Sequence, residues 1–179
     1  ITIRDTVTSI GHTAFQNGTS LTRFTIPDRV TSIGAGAFYG CNRLRRTTIP
    51  DGVTSIGERA FQSCESLTSI TIPDGVTRIG NRTFRTCSSL TSVTIGQSVT
   101  SIGEKAFYEC SSLTSITFLG TAPTVGADAF SGVADGAVAI MRGEEHASFG
   151  DVGDVWNELT LDCADGALCW LTWTTTDHK

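Results

Sequence analysis

Six cysteines are the residues of this chain whose type and spacing could carry chemistry. Four of them recur at a constant interval of 23 residues, as Cys41, Cys64, Cys87 and Cys110. Stacked in register, they would have parallel Cβ vectors about 4.8 Å apart, whereas a disulfide needs Cβ atoms roughly 3.5–4.5 Å apart. A straight ladder also cannot surround a tetrahedral zinc ion. Because free cysteine is among the most buried residue types, we interpret these four as a column of buried thiols.

The other two cysteines, Cys163 and Cys169, lie outside this series and are six residues apart. In an oxidising compartment they could form a disulfide that ties down the C-terminal segment. The alternative is a pair of free thiols.

The rest of the chain offers no set of residues with the spacing of a catalytic or metal site. The three histidines, His12, His146 and His178, occur in unrelated contexts. The segment 151–154 lacks the alternate oxygen spacing of a calcium loop. No glycine-rich loop leads from a strand into a helix to hold a phosphate. We therefore expect a non-enzymatic protein with no cofactor and no bound metal.

The interval of the cysteines belongs to a repeat that organises most of the chain. Ile-Gly, or Val-Gly in the last copy, recurs with the same step, and so does a phenylalanine, at positions 15, 38, 61, 84, 107 and 130. A fixed period of this length predicts a solenoid, in which each unit buries its apolar face only against its neighbours.

One repeat shows the predicted elements. Leu67–Ile72 has the β-branched composition of a strand and is followed by the turn residues Pro73-Asp74-Gly75. Val76–Ile79 is a second short extended segment. Gly80 then allows the chain to bend into one irregular or helical turn that ends near Cys87.

Aligned copies give apolar columns that predict the core. One column consists of leucines, at 21, 44, 67, 90 and 113. The second contains Phe24, Ile70, Val93 and Ile116, with Thr47 as its exception. The third runs from Ile26 to Phe118, and the phenylalanine column forms the opposite wall. Later, Val138–Ile140 and Leu159–Leu161 are the predicted last strands, and Trp156, Trp170 and Trp173 are predicted lids on the core.

The intervening strand positions predict a polar outward face. Threonine and serine dominate these columns, and arginines replace them in the second and third copies. The candidate partner-binding residues are Arg23, Arg45, Arg46, Ser69, Thr71, Ser92, Thr94, Ser115 and Thr117. The alternative is that threonine provides solubility and strand propensity alone. Nucleic acid is not an expected partner, because most of the chain is acidic and the aromatic residues fall in core columns.

Charge is distributed unevenly along the chain. Residues 1–86 carry ten arginines and six acidic residues, a net +4, and residues 87–179 carry three basic and twelve acidic residues, a net −9. This bipolar pattern could orient a partner or favour end-to-end self-association. No apolar run approaches the roughly 18 residues that span a bilayer.

The repeat L-x-x-I-x-I-P-x-x-V-x-x-I-G-x-x-A-F-x-x-C resembles the BspA-like, or Treponema pallidum class, leucine-rich repeats. Residues 44–64, 67–87 and 90–110 match it nearly throughout, with departures such as Thr83 for Ala and Gly96 for Pro. The resemblance implies a leucine-rich repeat solenoid, an α/β fold with parallel strands and short irregular or helical turns. It divides the chain into an array at 1–130 of about five and a half repeats, truncated at the start, an atypical C-terminal cap at 131–161 and a tail at 162–179.

The resemblance also implies a function. Members of this family are mostly secreted or cell-surface proteins linked to adhesion and to protein or matrix binding, without catalytic residues. We therefore expect an extracellular, protein- or glycan-binding module that uses the exposed strand face. The alternative is a structural subunit that packs end to end. Because Ile1 aligns within a repeat, we expect a trimmed chain, so the lack of a visible signal peptide gives no information on secretion.

Overall fold

The computed structural model describes residues 3–141, 148–149 and 155–163, with only the backbone at Val155 and Cys163. Fourteen short strands occur in these residues: β1 Ser9–Ile10, β2 Arg23–Thr25, β3 Ser32–Ile33, β4 Arg46–Thr48, β5 Ser55–Ile56, β6 Ser69–Ile72, β7 Arg78–Ile79, β8 Ser92–Ile95, β9 Ser101–Ile102, β10 Ser115–Phe118, β11 Thr124–Val125, β12 Val138–Met141, β13 Val155–Trp156 and β14 Leu159–Cys163. No α-helix occurs within the described ranges.

Each coil of the solenoid contributes two strands, and equivalent strands of neighbouring coils pair in parallel. Strands β6, β8, β10, β12 and β14 form one continuous sheet, and β2 pairs with β4 on the same side. The two-residue strands form a second side, as β1-β3-β5 and β7-β9-β11. Paired residues such as Ser9 and Ser32 are 23 positions apart. The predicted parallel-strand solenoid of 23-residue repeats is therefore confirmed.

The strands are shorter than the sequence pattern predicted. β6 begins at Ser69 rather than Leu67, because the Leu67 amide donates to Cys64 O at 3.0 Å within its own coil. The second extended segment of this repeat pairs only at Arg78–Ile79. The turn therefore extends further into the leucine-containing segment than β-propensity alone indicates.

The third side of each coil, from the glycine to the cysteine, is an irregular turn, which was one of the two predicted alternatives. We call this side the turn face. It has a hydrogen-bond ladder of its own: in one coil, Arg59, Phe61 and Ser63 donate their amides to carbonyls of the next coil at 3.1, 2.9 and 2.8 Å. Arg59 and Ser63 have positive φ, 57° and 58°. Equivalent residues with positive φ recur in every coil from Thr13 to Gly132. Alternating left-handed residues thus let a tight turn present amides to its neighbour.

The predicted apolar columns all lie in the core, which runs through the solenoid as stacked side chains. The five leucines are at most 5% exposed, and Thr47, the exception in the second column, is 9% exposed. The phenylalanine rings stack nearly parallel, with centroids 5.1–5.5 Å apart and interplanar angles of 4–11°. Stacked aromatic pairs stabilise a core by about 0.5–1.5 kcal/mol beyond their area burial.

The four periodic cysteines form the predicted column of buried, free thiols. Each Sγ donates to the carbonyl of the phenylalanine 26 residues earlier, as in Cys87 to Phe61 O at 3.2 Å. Burial raises the pKa of all four thiols, to about 12 for Cys110. The thiols are therefore neutral in the folded protein and are not poised as nucleophiles or metal ligands.

The C-terminal coils close the core with aromatic residues. β14 adds to β12 in parallel, and β13 folds back on β14 as an antiparallel hairpin whose turn residues, Asn157 and Glu158, both have positive φ. The Trp156 ring lies 5.4 Å from that of Phe118 and 5.0 Å from that of Phe149. Strands at the predicted segments Val138–Ile140 and Leu159–Leu161 are thus confirmed, and the lid role of Trp156 stays a prediction. Trp170 and Trp173 lie outside the described residues.

A discontinuity, which we call the open joint, separates the coil of residues 44–66 from that of 67–89. Threonine amides bridge the coils on either side of it, as in Thr54 to Thr31 O and Thr100 to Thr77 O, both at 2.9 Å. Among residues 3–141 no equivalent bond joins Thr77 to Thr54, and neither β5 with β7 nor β4 with β6 forms a ladder. A cleft of about 250 Å³ lies between β5 and β7. The apolar core nevertheless continues across the joint, because the rings of Phe61 and Phe84 remain stacked at 5.4 Å.

Glycine packing shows the same opening. A Cβ on Gly57 would lie 2.4 Å from the backbone of the preceding coil, and one on Gly103 would lie 2.7 Å from it. At Gly80 the nearest atoms, which belong to Glu58, are 3.3 Å away. The backbones of the two coils are therefore further apart near Gly80 than at Gly57 and Gly103, although the hydrogen bonds of the turn face continue across the joint.

Native-state hydrogen exchange should detect the open joint. The Thr77 and Gly80 amides lack the coil-to-coil acceptor that their equivalents have, so they should exchange at least about tenfold faster. The matched controls within the same molecule are the amides of Thr54, Gly57 and Gly103, measured by NMR. Equal protection at all of these positions would show that the joint is closed in solution.

Alkaline pH should destabilise the fold through the thiol column. In the unfolded chain a cysteine has a pKa of about 8.5, and in the fold the pKa is raised, so the stabilisation is complete below about pH 8.5 and is lost as pH rises towards the folded pKa. Denaturant unfolding should therefore give a free energy that falls by up to about 1.4 kcal/mol per pH unit for each buried thiol. Cys87→Ala should reduce the slope of the unfolding free energy against pH by the contribution of one thiol, up to about 1.4 kcal/mol per pH unit. An unchanged slope in the variant would mean that Cys87 ionises without unfolding.

Candidate functional site

The strand face, which we define as the outward side of β2, β4, β6, β8 and β10, carries the candidate residues. Side chains alternate along each strand, so that in β6 Ser69 and Thr71 point outward while Ile70 and Ile72 are buried. The other candidates within strands follow the same alternation. Arg45 directly precedes β4 and is also exposed. All nine predicted residues therefore lie on the outward side of the solenoid.

Register brings these residues together in two groups. Ser69, Ser92 and Ser115 are direct neighbours across three strands, and so are the threonines at 71, 94 and 117. Arg23 and Arg46 form a separate pair across β2 and β4. Because β4 and β6 do not pair, the arginine group and the hydroxyl group meet at the level of the open joint.

Some hydroxyl groups near this face donate hydrogen bonds between coils, and the others make no such bond within the described residues. Thr91 and Thr114, just before β8 and β10, donate their hydroxyls to the carbonyl 23 residues earlier at 3.0 and 3.2 Å, which fastens each coil to the previous one. The serine and threonine candidates inside the strands make no such bond to any described residue. Their donors and acceptors remain available to a ligand.

The arginine group is an uncompensated basic patch. Arg23, Arg45 and Arg46 are exposed, and none forms an ion pair within the described residues. Arg23 and Arg46 occupy directly opposed strand positions, where like charges repel. A carboxylate of a partner would relieve this repulsion, and guanidinium groups can bind it in a bidentate manner.

The polar columns are interrupted at β12 by apolar residues, which the sequence analysis did not single out. Val138 pairs with Ser115, and Ile140 pairs with Thr117, and both side chains are half-buried. The alternation of β12 in the sequence could have revealed this change. The columns of the strand face therefore run from arginines to hydroxyls, and continue through the apolar β12 to Thr160 and Asp162 of β14.

A groove on the turn face was also missed. It encloses about 730 Å³ and extends from the coil of His12 to that of Arg85, with Gly36, Tyr39, Arg59, Gln62 and Arg82 among its lining residues. It forms where Ala35 and Gly36 supply little side chain. The replacement of larger residues by Ala-Gly in one copy was the signal in the sequence.

The predictions about a metal site, a membrane span and a disulfide are tested only over the described residues. Within the described ranges no three His, Cys, Asp or Glu side chains are grouped to hold a metal ion. In the same ranges no helix has the length and hydrophobicity to cross a membrane. The proposed Cys163–Cys169 disulfide falls on side chains outside the described residues.

Two solved structures resemble this chain in both sequence and fold. One is a leucine rich cell surface protein from Faecalibacterium prausnitzii A2-165, with 40% identity over 76% of this chain and a TM-score of 0.65. The other is the T. pallidum leucine rich repeat protein, with 33% identity over 70% of this chain and a TM-score of 0.64. The chain spans 37% of the first protein and 70% of the second. A search of curated protein sequences finds no match.

The repeat itself identifies the family. The profile described as the BspA type leucine rich repeat region matches residues 1–135 in six copies. The match covers the coils whose columns form the core and the strand face. The chain belongs to the BspA type leucine-rich repeat family.

Proposed function

We propose that this chain is a non-enzymatic module that binds a partner protein through its strand face. The observation that carries the proposal is the pair of hydroxyl columns, held in register and without partners among the described residues, beside three unpaired arginines. Leucine-rich repeat proteins of this family generally bind proteins, which supports the same function. A rigid, regular face also costs little conformational entropy on binding.

The graded chemistry of the face favours a protein over a glycan. A partner that complements it must offer carboxylates near Arg23 and Arg46, hydrogen-bonding groups along the serine and threonine columns, and apolar side chains near Val138 and Ile140. Protein surfaces combine these three features. The proposal includes a role in adhesion at an extracellular or cell-surface location, which is supported by the description of the relative from F. prausnitzii as a cell surface protein.

Charge reversal on the strand face should weaken partner binding. The purified chain would be screened against a displayed library of extracellular proteins, and its best binder would be measured by calorimetry at low and high salt. Arg23→Glu, Arg45→Glu and Arg46→Glu together should weaken that affinity at least about a hundredfold, roughly 2.7 kcal/mol, because attraction becomes repulsion. The wild-type affinity should fall as salt rises.

The matched control is the triple variant Arg4→Glu, Arg29→Glu and Arg78→Glu, which makes the same charge change at exposed positions outside the strand face. It should bind with nearly wild-type affinity. Equal losses of affinity in both triple variants would show that the effect comes from net charge alone and not from the strand face. Tight binding that survives the strand-face changes would remove this face from the proposed function.

A further inference from the structure

The turn-face groove contains the buried polar atoms that lack a partner. Among the described residues, three buried side-chain atoms have no hydrogen bond: Gln62 Oε1, Arg82 Nε and Arg85 Nε. All three residues line the same groove. Leaving a buried polar group unsatisfied costs about 1–3 kcal/mol, and more when the group is charged. Their coincidence in one groove points to a ligand that satisfies them.

The charges around the groove do not cancel. Arg82 Nη2 lies 3.5 Å from Glu104 Oε1, and Lys105 bridges the same oxygen, at 3.4 Å, to Asp128 Oδ2, at 3.6 Å. The arginines at the groove without an ion pair to any described residue are therefore Arg59 and Arg85. Arg85 lies over the Tyr108 ring at 5.5 Å, which orients its guanidinium without neutralising it. Arg59 is exposed at the rim and has no ion pair within the described ranges. Glu58 is the one carboxylate among the described residues that line the groove.

We propose that this groove is a second binding site, which takes an acidic peptide segment of a partner protein. A carboxylate side chain would accept from the Nε and Nη groups of Arg82 or Arg85 in the bidentate geometry typical of guanidinium. A peptide amide of the same segment would donate to Gln62 Oε1.

The position of Glu58 selects among anionic ligands. A polysaccharide with a charge on every unit would bring one of its anionic groups beside this carboxylate, where like charges repel. A peptide can place a neutral residue there. The site lies on the turn face, on a different side of each coil from the strand face, so the two could be occupied together.

The groove has room for the ligand and can be blocked without changing its charge. A Cβ on Gly36 would have Thr13 Cγ2 at 3.4 Å and Tyr39 Cβ at 3.8 Å as its nearest neighbours, which is ordinary contact. Gly36 has φ of 61°, in the left-handed region that asparagine tolerates better than other side chains. Gly36→Asn is therefore a steric block that the backbone accepts.

The test is titration of the full chain with an acetylated, amidated peptide of alternating glycine and glutamate, followed by the Arg Nε–Hε resonances in NMR spectra. Arg82 and Arg85 should shift, whereas Arg4 and Arg29, which lie outside both the groove and the strand face, should not. Arg82→Gln with Arg85→Gln, and separately Gly36→Asn, should each weaken the peptide at least about tenfold. Arg4→Gln with Arg29→Gln is the control, which removes the same charge outside both surfaces, and should leave the affinity unchanged.

Two further titrations test whether binding requires the carboxylates and whether a peptide is preferred to a polysaccharide. The same peptide with glutamine in place of glutamate should not shift Arg82 or Arg85, and an acidic polysaccharide should bind more weakly than the glutamate peptide. Absence of shifts at millimolar glutamate peptide, or equal shifts with the glutamine peptide, would overturn the proposal. Preferential binding of the polysaccharide would overturn the assignment of a peptide. Because Gly36, Arg82 and Arg85 lie outside the strand face, failure here leaves the proposed function intact.

Discussion

The requirement that every coil contribute the same side chain at the same height governs this structure. The phenylalanine rings stack 5.1–5.5 Å apart, and the buried thiols bond carbonyls of the previous coil. Neither arrangement survives a shift of one residue, because a strand that slips by one position exchanges its buried and outward faces. Core packing therefore fixes the register at 23 residues, and the three hydrogen-bond ladders reinforce it.

The candidate binding surfaces are consequences of that register. Once Ile70 and Ile72 point inward, Ser69 and Thr71 must point outward, and neighbouring coils repeat the pattern as columns. Threonines just outside the strands use their hydroxyls to fasten the coils, which leaves the strand hydroxyls for a partner. Variation between copies then shapes individual sites: arginines give the basic patch, and an Ala-Gly copy opens the groove on the turn face.

Sequence reasoning predicted what the period controls. The core columns, the outward columns and the thiol column follow from residue type at a fixed step, and all are observed. It could not predict the ladder of the turn face, because Arg59 and Ser63 adopt positive φ although neither residue type favours it. The open joint was also invisible, since the copies on its two sides match the repeat pattern equally well. The groove was not predicted either, because the spacing of residues along the sequence does not show which side chains form ion pairs. One example is Glu104, which both Arg82 and Lys105 contact.

The central claim, that register set by core packing holds the molecule together, can be tested by deletion. Removing residues 67–89 deletes one complete repeat and joins Ser66 to Leu90, so every column remains aligned. Removing residues 67–88 leaves one extra residue and misaligns the columns on either side. Thermal unfolding followed by circular dichroism should show a cooperative transition for the first variant and none for the second. Similar cooperative transitions in both variants would contradict the account, because the core would then tolerate a shifted register.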